Sequence, residues 1–383
     1  MVSDLGRNLK MLLNQNLKST SCLNCRNTVD LTAGDSTLTC PECSYGYTVI
    51  DQIPMLVKDA HQNLAASWMQ HKALIEENEE RLQEVQDALG RQPERVPLLN
   101  RAICAYQHDN EYLRDLQTRI EAFLPQKEIE ELKEEGRLPK QYTMGEGIAF
   151  FPRDWCGSER AEQEVCTILD AIRSQIDRYA DDVDSLLVPG AGAGRFGCEL
   201  AGLYDSCYAF DYSLHMAQIF YDLVERDLTL HRINFRSNVV RTDDVVVAYD
   251  LSLDPTGDGR IRNHLDRNNL SYFVGNALDI PMPGNSLSAV ACIYFIDIVP
   301  IKEHLNEIRR TLKPGGLFIN CGPLRYMRGD VANMLSGEEI MDLFRSSGFD
   351  ILSHDVVTNT QLASSPVITS VLSHSFMFCA RKK

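Results

Sequence analysis

Short apolar runs alternate with amphipathic segments through the second half of the 383-residue chain. Each run has the length of a buried strand, and each segment after it carries apolar residues at helical spacing. The runs predict strands at 186–188, 206–210, 270–275, 287–295 and 317–321, and the segments predict helices at 195–203, 215–227, 300–312 and 336–347. Near-continuous apolar strands that alternate with helices indicate an α/β fold with a parallel, doubly wound sheet. Two more strands are predicted near 349–357 and 374–381.

One interval interrupts this alternation. Residues 236–269 are mostly polar, and they are predicted to form an unusually long connection between the second and third strands. In a doubly wound sheet, ligands bind where the carboxyl ends of the strands meet. Gly190, Asp211, Asn276 and Asp297 each lie at the end of a predicted strand. We therefore expect these four residues at one edge of the sheet.

The first half of the chain carries a different pattern. Between 61 and 89, and again between 94 and 123, apolar residues recur at helical spacing among many charges. Gly90 and Pro93 break the pattern, which predicts two long antiparallel helices joined by a short turn. Their narrow apolar stripe is more typical of ordinary packing than of a partner-binding face. Residues 126–147 are charged and predict a linker or a short helix.

Four cysteines near the N-terminus have the spacing of a metal site. Cys22 and Cys25 form one C-x2-C pair, and Cys40 and Cys43 form a second pair. Four thiolates at this spacing can complete a tetrahedral, structural Zn²⁺ site, which leaves no open position for catalysis. A redox role for the pairs is the weaker alternative. The predicted divisions are a zinc ribbon at 1–58, a helical hairpin with linker at 59–147, and the doubly wound domain at 148–383.

The first predicted strand of the doubly wound domain ends in a turn with glycine at alternate positions. Gly190, Gly192 and Gly194 form this turn, and glycine lets a ligand approach the backbone closely. Asp211 ends the second strand, where a carboxylate can bind both hydroxyls of a ribose. The G-x-G-x-G spacing differs from the dinucleotide-binding G-x-G-x-x-G. It is more similar to the turn with which methyltransferases bind S-adenosylmethionine (SAM).

Composition narrows the choice of partners and compartment. The formal net charge of −16 argues against nucleic acid, unless the basic residues cluster on one face. No run approaches the roughly 18 apolar residues of a membrane span, and the N-terminus lacks a secretory pattern. Twelve cysteines without a signal peptide indicate a reducing environment, in which thiols are buried or bind metal. We therefore expect a cytoplasmic protein without a membrane partner.

Several motifs in the second half resemble the carnosine N-methyltransferase-like family. They cover about 151–383, and their order along the chain is that of the family. The resemblance implies a Rossmann-like class I methyltransferase sheet, whose antiparallel edge the last two predicted strands match, with SAM as the methyl donor. Separately, residues 22–57 resemble small zinc-ribbon proteins that accompany and activate methyltransferases. The family motifs are 153–155 (RDW) with 159–160 (ER), 188–192 (VPGAG), 235–238 (FRSN), 295–297 (FID), 312–316 (LKPGG), 319–326 (INCGPLRY), 335–340 (LSGEEI) and 348–349 (GF).

The resemblance also implies which residues bind the donor. The glycine turn would face the amino-acid part of SAM, and residues 276 and 277 would lie near adenine, although relatives often carry an acidic residue at 276. The two arginines of the first motif would reach the donor carboxylate or close the pocket, and a surface ion pair is the alternative for each. The implied donor-binding residues are Gly190, Gly192, Gly194, Asp211, Asn276, Ala277, Arg153 and Arg160.

The residues implied for the acceptor follow the fourth and fifth strands. Asp297 would orient an imidazole for direct SN2 attack on the SAM methyl, with a helix cap as the alternative role. Arg325 and Tyr326 would line the acceptor pocket. Relatives active on carnosine carry a histidine directly after the L-x-Y segment, where this chain has Met327. That departure puts carnosine itself in doubt, and His304 and His231 are the alternative imidazoles.

Three classes of function fit these observations. The favoured one is a SAM-dependent N-methyltransferase that acts on a small imidazole-bearing or peptide-like acceptor. The second is an RNA or protein methyltransferase whose ribbon docks the substrate, against which the net charge and the family resemblance argue. The third is a silent scaffold that binds partners through the hairpin. The intact glycine turn, Asp211 and Asp297 disfavour it.

Overall fold

The N-terminal ribbon consists of short strands. The structure is a computed structural model, and it describes residues 17, 20–33, 36–134, 147–236, 239–326, 330–362 and 370–383. β1 pairs with β2, and β3 to β6 form an antiparallel meander. Asp51 and Gln52 have φ of 49° and 69° in the tight turn between the last two strands. The strands are β1 (Thr20–Ser21), β2 (Thr28–Val29), β3 (Thr32–Ala33), β4 (Thr37–Thr39), β5 (Gly46–Ile50) and β6 (Ile53–Leu56).

The predicted helical hairpin follows the ribbon and is confirmed. It consists of α1 (Ala60–Leu89) and α2 (Val96–Glu121), and α3 (Gln126–Glu134) occupies part of the predicted linker. The indole of Trp68 donates a hydrogen bond to Glu121 across the hairpin, at 3.0 Å. Among the described helices, none combines the length and the apolarity that a bilayer-spanning segment requires.

The second half alternates strands and helices as the apolar pattern predicts. Its first helices are α4 (Phe150–Trp155) and α5 (Glu159–Tyr179). The remaining elements are β7 (Ser185–Pro189), α6 (Arg195–Leu200), β8 (Ser206–Asp211), α7 (Leu214–Glu225), β9 (Leu228–Ile233), β10 (Val246–Leu251), α8 (Arg260–Asp266), β11 (Leu270–Gly275), β12 (Leu287–Ile293), α9 (Ile301–Thr311), β13 (Leu312–Gly322), α10 (Gly337–Ser346), β14 (Phe349–Gln361) and β15 (Val371–Lys382).

One sheet joins the ribbon to the doubly wound domain. Among the described residues, eleven strands form it in the order β14-β15-β13-β12-β7-β8-β11-β6-β5-β4-β3. The strands from β13 to β11 are parallel, and β15 is antiparallel to both β13 and β14. The strand order reverses between β7 and β12, which is the Rossmann-like methyltransferase arrangement that the family resemblance implies. β6 pairs in parallel with β11, with Met55 opposite Val274.

The ribbon, the hairpin and the sheet share their hydrophobic cores. On one face of the sheet, Ile53 and Met55 of β6 pack in a core with Trp68 of α1 and Ala209 of β8. On the other face, Leu56 belongs to a core that includes ribbon residues and the strand residues Phe210 and Phe273. The three predicted divisions therefore meet over buried apolar contacts.

The predicted long connection at 236–269 lies between the second and third predicted strands, but it contains regular elements that the sequence analysis did not predict. β10 and α8 lie inside it, and β10 pairs with β9 as a separate two-stranded antiparallel sheet. In β9, Leu228 and Leu230 are buried, whereas Thr229 and His231 alternate with them. This alternation with a period of two is that of a half-buried strand. A search for continuous apolar runs does not detect such a strand, because every second residue is polar.

Candidate active site

A cavity of about 470 Å³ opens at the carboxyl ends of β7, β8, β11 and β12. The strand order reverses at this point, where open α/β sheets bind their ligands. Gly190, Asp211, Asn276 and Tyr294 are among the lining residues, and each lies at or just beyond the end of one of these strands. Gly190, Asp211 and Asn276, three of the four residues expected at one edge of the sheet, therefore lie together here, whereas Asp297 does not line the cavity.

The glycine turn is fixed by its neighbours and needs glycine at two positions. Gly190 and Gly194 have φ of 63° and 87°, a region that side-chain-bearing residues rarely adopt. A Cβ at Gly190 would lie 2.1 Å from the ring of Phe295, and one at Gly194 would lie 2.5 Å from the ring of Phe220. Gly190 and Gly192 line the cavity, whereas Gly194 is the N-cap residue of α6 and does not line it.

Asp211 ties the turn to the second strand. One carboxylate oxygen accepts a hydrogen bond from the amide of Gly192, and the other accepts one from the amide of Ser213, each at 2.9 Å. Burial raises the pKa of Asp211, and the two amides oppose that rise. A carboxylate has about four lone-pair directions, so Asp211 can still accept from a ligand hydroxyl while it holds the turn.

Arg153 supplies a buried positive charge to the cavity wall. Its Nε lies 2.6 Å from a carboxylate oxygen of Asp154, and its guanidinium lies over the rings of Phe150, Phe196 and Tyr294. Burial lowers the pKa of Arg153, but Asp154 and Glu164 raise it more, so the net shift is upward. The charge is therefore permanent and is held in place by aromatic neighbours.

The loop after β11 forms another wall. Asn276, Ala277 and Leu278 line the cavity, and the Asn276 side-chain oxygen accepts a hydrogen bond from the amide of Leu278 at 2.9 Å. The amide of Asp279 donates to the carbonyl of Asn276 at 3.0 Å, which closes the loop into a tight turn.

Two parts of the cavity wall were not foreseen from the sequence. Ser67 and Gln70 of α1 line the cavity, so the hairpin contributes to it. Tyr294, directly after β12, has a φ of 52° although it is not glycine, and such strain clusters at functional sites. In the sequence, the apolar run at 287–295 was the one feature that indicated that Tyr294 lies near the end of a strand.

The four predicted cysteine ligands converge in the ribbon. Their sulfur atoms all lie within 4.8 Å of one another, with Cys22 and Cys43 at 3.7 Å and Cys25 and Cys40 at 3.9 Å. Zn–S bonds of about 2.3 Å in a tetrahedron place sulfur atoms roughly 3.8 Å apart. The cluster therefore has the dimensions of a four-thiolate zinc site.

Comparison with known proteins gives the chain a family. Residues 139–383 match the family model described as carnosine N-methyltransferase. The chain belongs to the carnosine N-methyltransferase family. The carnosine N-methyltransferase of Rattus norvegicus is 28% identical over 223 residues, which cover 52% of this chain and 53% of that protein. That of Schizosaccharomyces pombe is 26% identical over 257 residues, which cover 60% of this chain and 68% of that protein.

The chain spans about half the length of several curated relatives in the family. Among solved structures, a SAM-dependent methyltransferase from Aquifex aeolicus is similar, with a TM-score of 0.35 and 14% identity. That similarity covers 56% of this chain and 90% of the Aquifex chain. The ribbon and the whole helical hairpin precede the residues that match the carnosine N-methyltransferase family.

Asp297, the main acceptor residue implied by the family, does not line the cavity, although its neighbours in sequence do. Asp297 is 6% exposed, and its carboxylate accepts a hydrogen bond from the amide of Arg325 at 2.7 Å. Burial raises the pKa of Asp297 to about 6, although the Arg325 amide opposes the rise. Pro300, not Asp297, occupies the cap position of α9, so the helix-cap alternative is not seen. Ile298 and Val299, the next residues, line the cavity.

The other implied residues do not line the large cavity. Arg325 is exposed, and the Tyr326 hydroxyl donates to the carbonyl of Leu335 at 2.9 Å. Arg160 is exposed and lines a separate pocket, so its predicted contact with the donor has no geometric support. His304 is buried against Phe295, and burial lowers its pKa to about 4. His231 lies on β9 with its Nδ1 2.8 Å from Asp109. Met327 lies outside the described residues.

Proposed function

We propose that this chain transfers the methyl group of SAM to a nitrogen of a small imidazole-bearing or peptide-like acceptor. The observation that carries the proposal is the cavity at the strand-order reversal, in a chain of the carnosine N-methyltransferase family. The buried cation Arg153, the partly buried carboxylate of Asp211 and the backbone of the glycine turn meet in this one cavity. The acidic chain, with a formal charge of −16, favours a small acceptor over nucleic acid.

The residues present fit SAM. Gly190 leaves its backbone bare toward the cavity because the ring of Phe295 fills the space of a side chain. In the proposed arrangement Arg153 binds the carboxylate of the donor, and Asp211 binds its ribose hydroxyls. Asn276 and Ala277 would contact adenine. Bound SAM supplies a methyl group that is already activated by a sulfonium centre.

The chain's own contribution would be orientation and protection from water. Holding the acceptor nitrogen in line with the methyl group supplies up to about 7–11 kcal/mol in well-oriented systems. Asp297 would orient the acceptor through the second N–H of an imidazole ring, which leaves the attacking nitrogen with a free lone pair. Its pKa of about 6 keeps it largely ionised at neutral pH. Arg325 and Tyr326 would support this side of the pocket.

We extend the proposal to the metal and to the compartment. The cluster of Cys22, Cys25, Cys40 and Cys43 would hold one structural Zn²⁺, since its dimensions match and four thiolates leave no catalytic position. All twelve cysteines lie in the described part of the chain, and none of them forms a disulfide. Free thiols are typical of a reducing compartment, so we place the protein in the cytoplasm.

The test combines binding with turnover. SAM and S-adenosylhomocysteine are titrated calorimetrically into zinc-loaded protein, and methyl transfer to histidine, β-alanyl-histidine and short histidine peptides is followed by mass spectrometry. The Asp211→Asn variant should bind SAM roughly 10- to 100-fold more weakly, because it loses a charged hydrogen-bond acceptor. Asp205→Asn, a change at an exposed residue just before β8, is the matched control.

Each result has a distinct meaning. SAM binding together with methylation of an imidazole compound supports the proposal. SAM binding with methylation confined to RNA or protein would replace the acceptor class with the macromolecular alternative. A wild-type protein that does not bind SAM would contradict the enzyme assignment altogether.

A further inference from the structure

Two histidines and an aspartate meet on the surface where α2 packs beside the β9–β10 hairpin. His108 and Asp109 lie on α2, and His231 lies on β9, 122 residues after Asp109. The candidate ligand atoms of the three side chains all lie within 4.8 Å of one another. The Nδ1 atoms of His231 and His108 lie 2.8 Å and 3.2 Å from the same carboxylate oxygen of Asp109. One oxygen thus faces two imidazole nitrogens from different parts of the chain.

The backbone of β9 holds the carboxylate in this orientation. The second carboxylate oxygen of Asp109 accepts a hydrogen bond from the amide of His231 at 3.2 Å. The rings of His108 and His231 are 5.1 Å apart between centroids and are inclined at 77°, so they converge edge to face rather than stack. In metal sites, an outer hydrogen bond of this kind orients the ligand. The first oxygen of Asp109 is therefore directed at both rings by a contact that a metal would leave in place.

The geometry of this cluster fits a divalent transition metal ion. Two imidazoles with one carboxylate are a ligand set that Zn²⁺ accepts, with water in the fourth position. Bonds of about 2.0–2.2 Å in a tetrahedron place ligand atoms roughly 3.3–3.6 Å apart. The separations of 2.8 Å and 3.2 Å would have to widen only slightly to reach this range. Mg²⁺ prefers oxygen ligands, so the two imidazoles select against it.

A surface groove gives the ion a path from solvent. The groove has a volume of about 550 Å³, and its lining includes His108, His231 and Arg101. His108 is exposed, and the other two members of the cluster are half-buried. The guanidinium of Arg101 lies 2.8 Å from a carboxylate oxygen of Asp243, which balances its charge. The groove therefore admits a cation to the cluster.

The β9–β10 hairpin has few attachments through its backbone. In the described part of the chain, its two strands pair with each other and form a sheet separate from the eleven-stranded one. Ile233 and Val246, at one end of the hairpin, pack against a small core of the helical hairpin. His231 lies two residues further in, so a metal bound there would fasten the middle of β9 to α2.

We propose that His108, Asp109 and His231 bind a Zn²⁺ ion that clamps the β9–β10 hairpin to α2. This site is separate from the cysteine cluster of the ribbon and does not depend on the proposed methyl transfer. It assigns His231 to a metal rather than to the methyl acceptor. The ion replaces the protons between the two imidazoles and the carboxylate, and water completes its coordination on the side of the groove.

The metal content of the full chain tests the site. Wild type, Asp109→Asn and His231→Gln are dialysed to equilibrium against micromolar Zn²⁺, and bound zinc is measured by inductively coupled plasma mass spectrometry. The wild type should hold one zinc ion per chain more than either variant. This difference does not depend on the cysteine cluster, which all three proteins share. In calorimetric titrations with Zn²⁺, each variant should bind at this site at least roughly 10- to 100-fold more weakly.

Amide hydrogen exchange measures the clamp itself. Zn²⁺ should slow exchange in β9 and β10 of the wild type, and Mg²⁺ should not. In Asp109→Asn these strands should not respond to Zn²⁺, whereas exchange in the central strands β8 and β11 should match the wild type, which shows that the variant folds. His354→Gln, a change at an exposed histidine of β14, is the control and should behave as the wild type in both measurements.

Two results would contradict the proposal. Equal zinc contents in the wild type and in both variants would overturn the site, and the three side chains would then form a hydrogen-bonded cluster only. A difference of one zinc ion with unchanged exchange in β9 and β10 would support the site and overturn the clamp.

Discussion

Asp297 combines a buried carboxylate with a hydrogen bond that holds two strand ends together. Its oxygen accepts from the amide of Arg325, so the segment after β12 and the segment after β13 are joined at this residue. Burial shifts its pKa from 3.8 to about 6. An acid whose folded-state pKa is raised stabilises the fold only when protonated, so this stability is present below pH 3.8 and is lost as the pH rises through about 6.

We expect Asp297→Asn to raise the free energy of unfolding at alkaline pH and to lower the activity. The amide keeps the acceptor for Arg325 and removes the charge, so at pH 8 the variant should be more stable by up to roughly 3 kcal/mol. Below pH 4 the difference should vanish. Its kcat/KM should fall at least about tenfold, and wild-type kcat/KM should decline as the pH drops through 6.

Urea unfolding at several pH values, read beside pH–rate profiles, measures both effects. Asp266→Asn on α8 is the control, since that aspartate is exposed. A variant that loses stability at pH 8 would show that the ionised carboxylate is a structural requirement, against this account.

Several of the residues that sequence analysis predicted for the donor site and that line the cavity share one property. Gly190, Asp211 and Asn276 lie at strand ends, and the alternation of apolar runs locates strand ends well. Gln70 reaches the cavity from a helix more than a hundred residues earlier in the chain, and a helical pattern does not say which ligand a helix faces. The left-handed backbone of Tyr294 is likewise invisible in its residue type.

At the scale of elements, the loop after β11 is held by the ribbon. Asp279 pairs with Arg26 at 2.5 Å and with Lys58 at 3.0 Å, and the amide of Ser21 donates to the carbonyl of Pro281 at 3.0 Å. Ala277 and Ile280 of the same loop share a core with Leu23 of the ribbon. The wall proposed to contact adenine is thus positioned from outside the residues that match the family.

Removal of these ion pairs should weaken donor binding without unfolding the protein. In the double variant Arg26→Gln, Lys58→Gln, the affinity for S-adenosylhomocysteine should fall roughly two- to tenfold, because each pair is half-exposed and of modest strength. The KM of the acceptor should stay the same. Arg81→Gln, which removes an exposed pair on α1, is the control. Equal affinities in all three proteins would show that the loop holds its conformation unaided.

The β9–β10 hairpin shows why one element escaped prediction. It does not join the large sheet but packs beside α2, where the guanidinium of Arg101 donates to the carbonyls of Asp243 and Val246. Strands that bury one face alternate polar with apolar residues, so a search for apolar runs passes over them. The central strands are buried on both faces and are therefore apolar along their whole length, so the same search detects them.

At the scale of the molecule, the ribbon shares one sheet and two hydrophobic cores with the doubly wound domain. The sequence predicted a ribbon, a helical hairpin and a doubly wound domain in succession, and the structure contains strands or helices of the predicted kind in each. It could not show that β6, four residues long, pairs with β11, because a short apolar strand does not indicate which sheet edge it joins. Because these cores are shared on both faces, we expect the folding of the ribbon and of the proposed donor site to be interdependent.

Removal of zinc should therefore affect the whole chain. We expect chelation, or Cys40→Ser, to lower the melting temperature by at least about 5 °C and to weaken S-adenosylhomocysteine binding in parallel. Scanning calorimetry and titration with and without restored Zn²⁺ measure the two effects. Cys104→Ser, at an exposed cysteine on α2, is the control. Separate melting of the ribbon with unchanged binding would contradict this coupling.

The position of β6 at the edge of β11 indicates how the protein would self-associate if the ribbon unfolded. β11 is mostly apolar and buried on both faces, and on its outer side β6 pairs with its last two residues, Val274 and Gly275. Without the ribbon, a row of unpaired backbone amides and carbonyls would face water beside an apolar strand, which is a template for another copy to add its own strand. Shortage of the metal would then produce self-association, and light scattering would rise before the melting transition. The ribbon therefore protects this edge of the sheet from pairing with a strand of another copy.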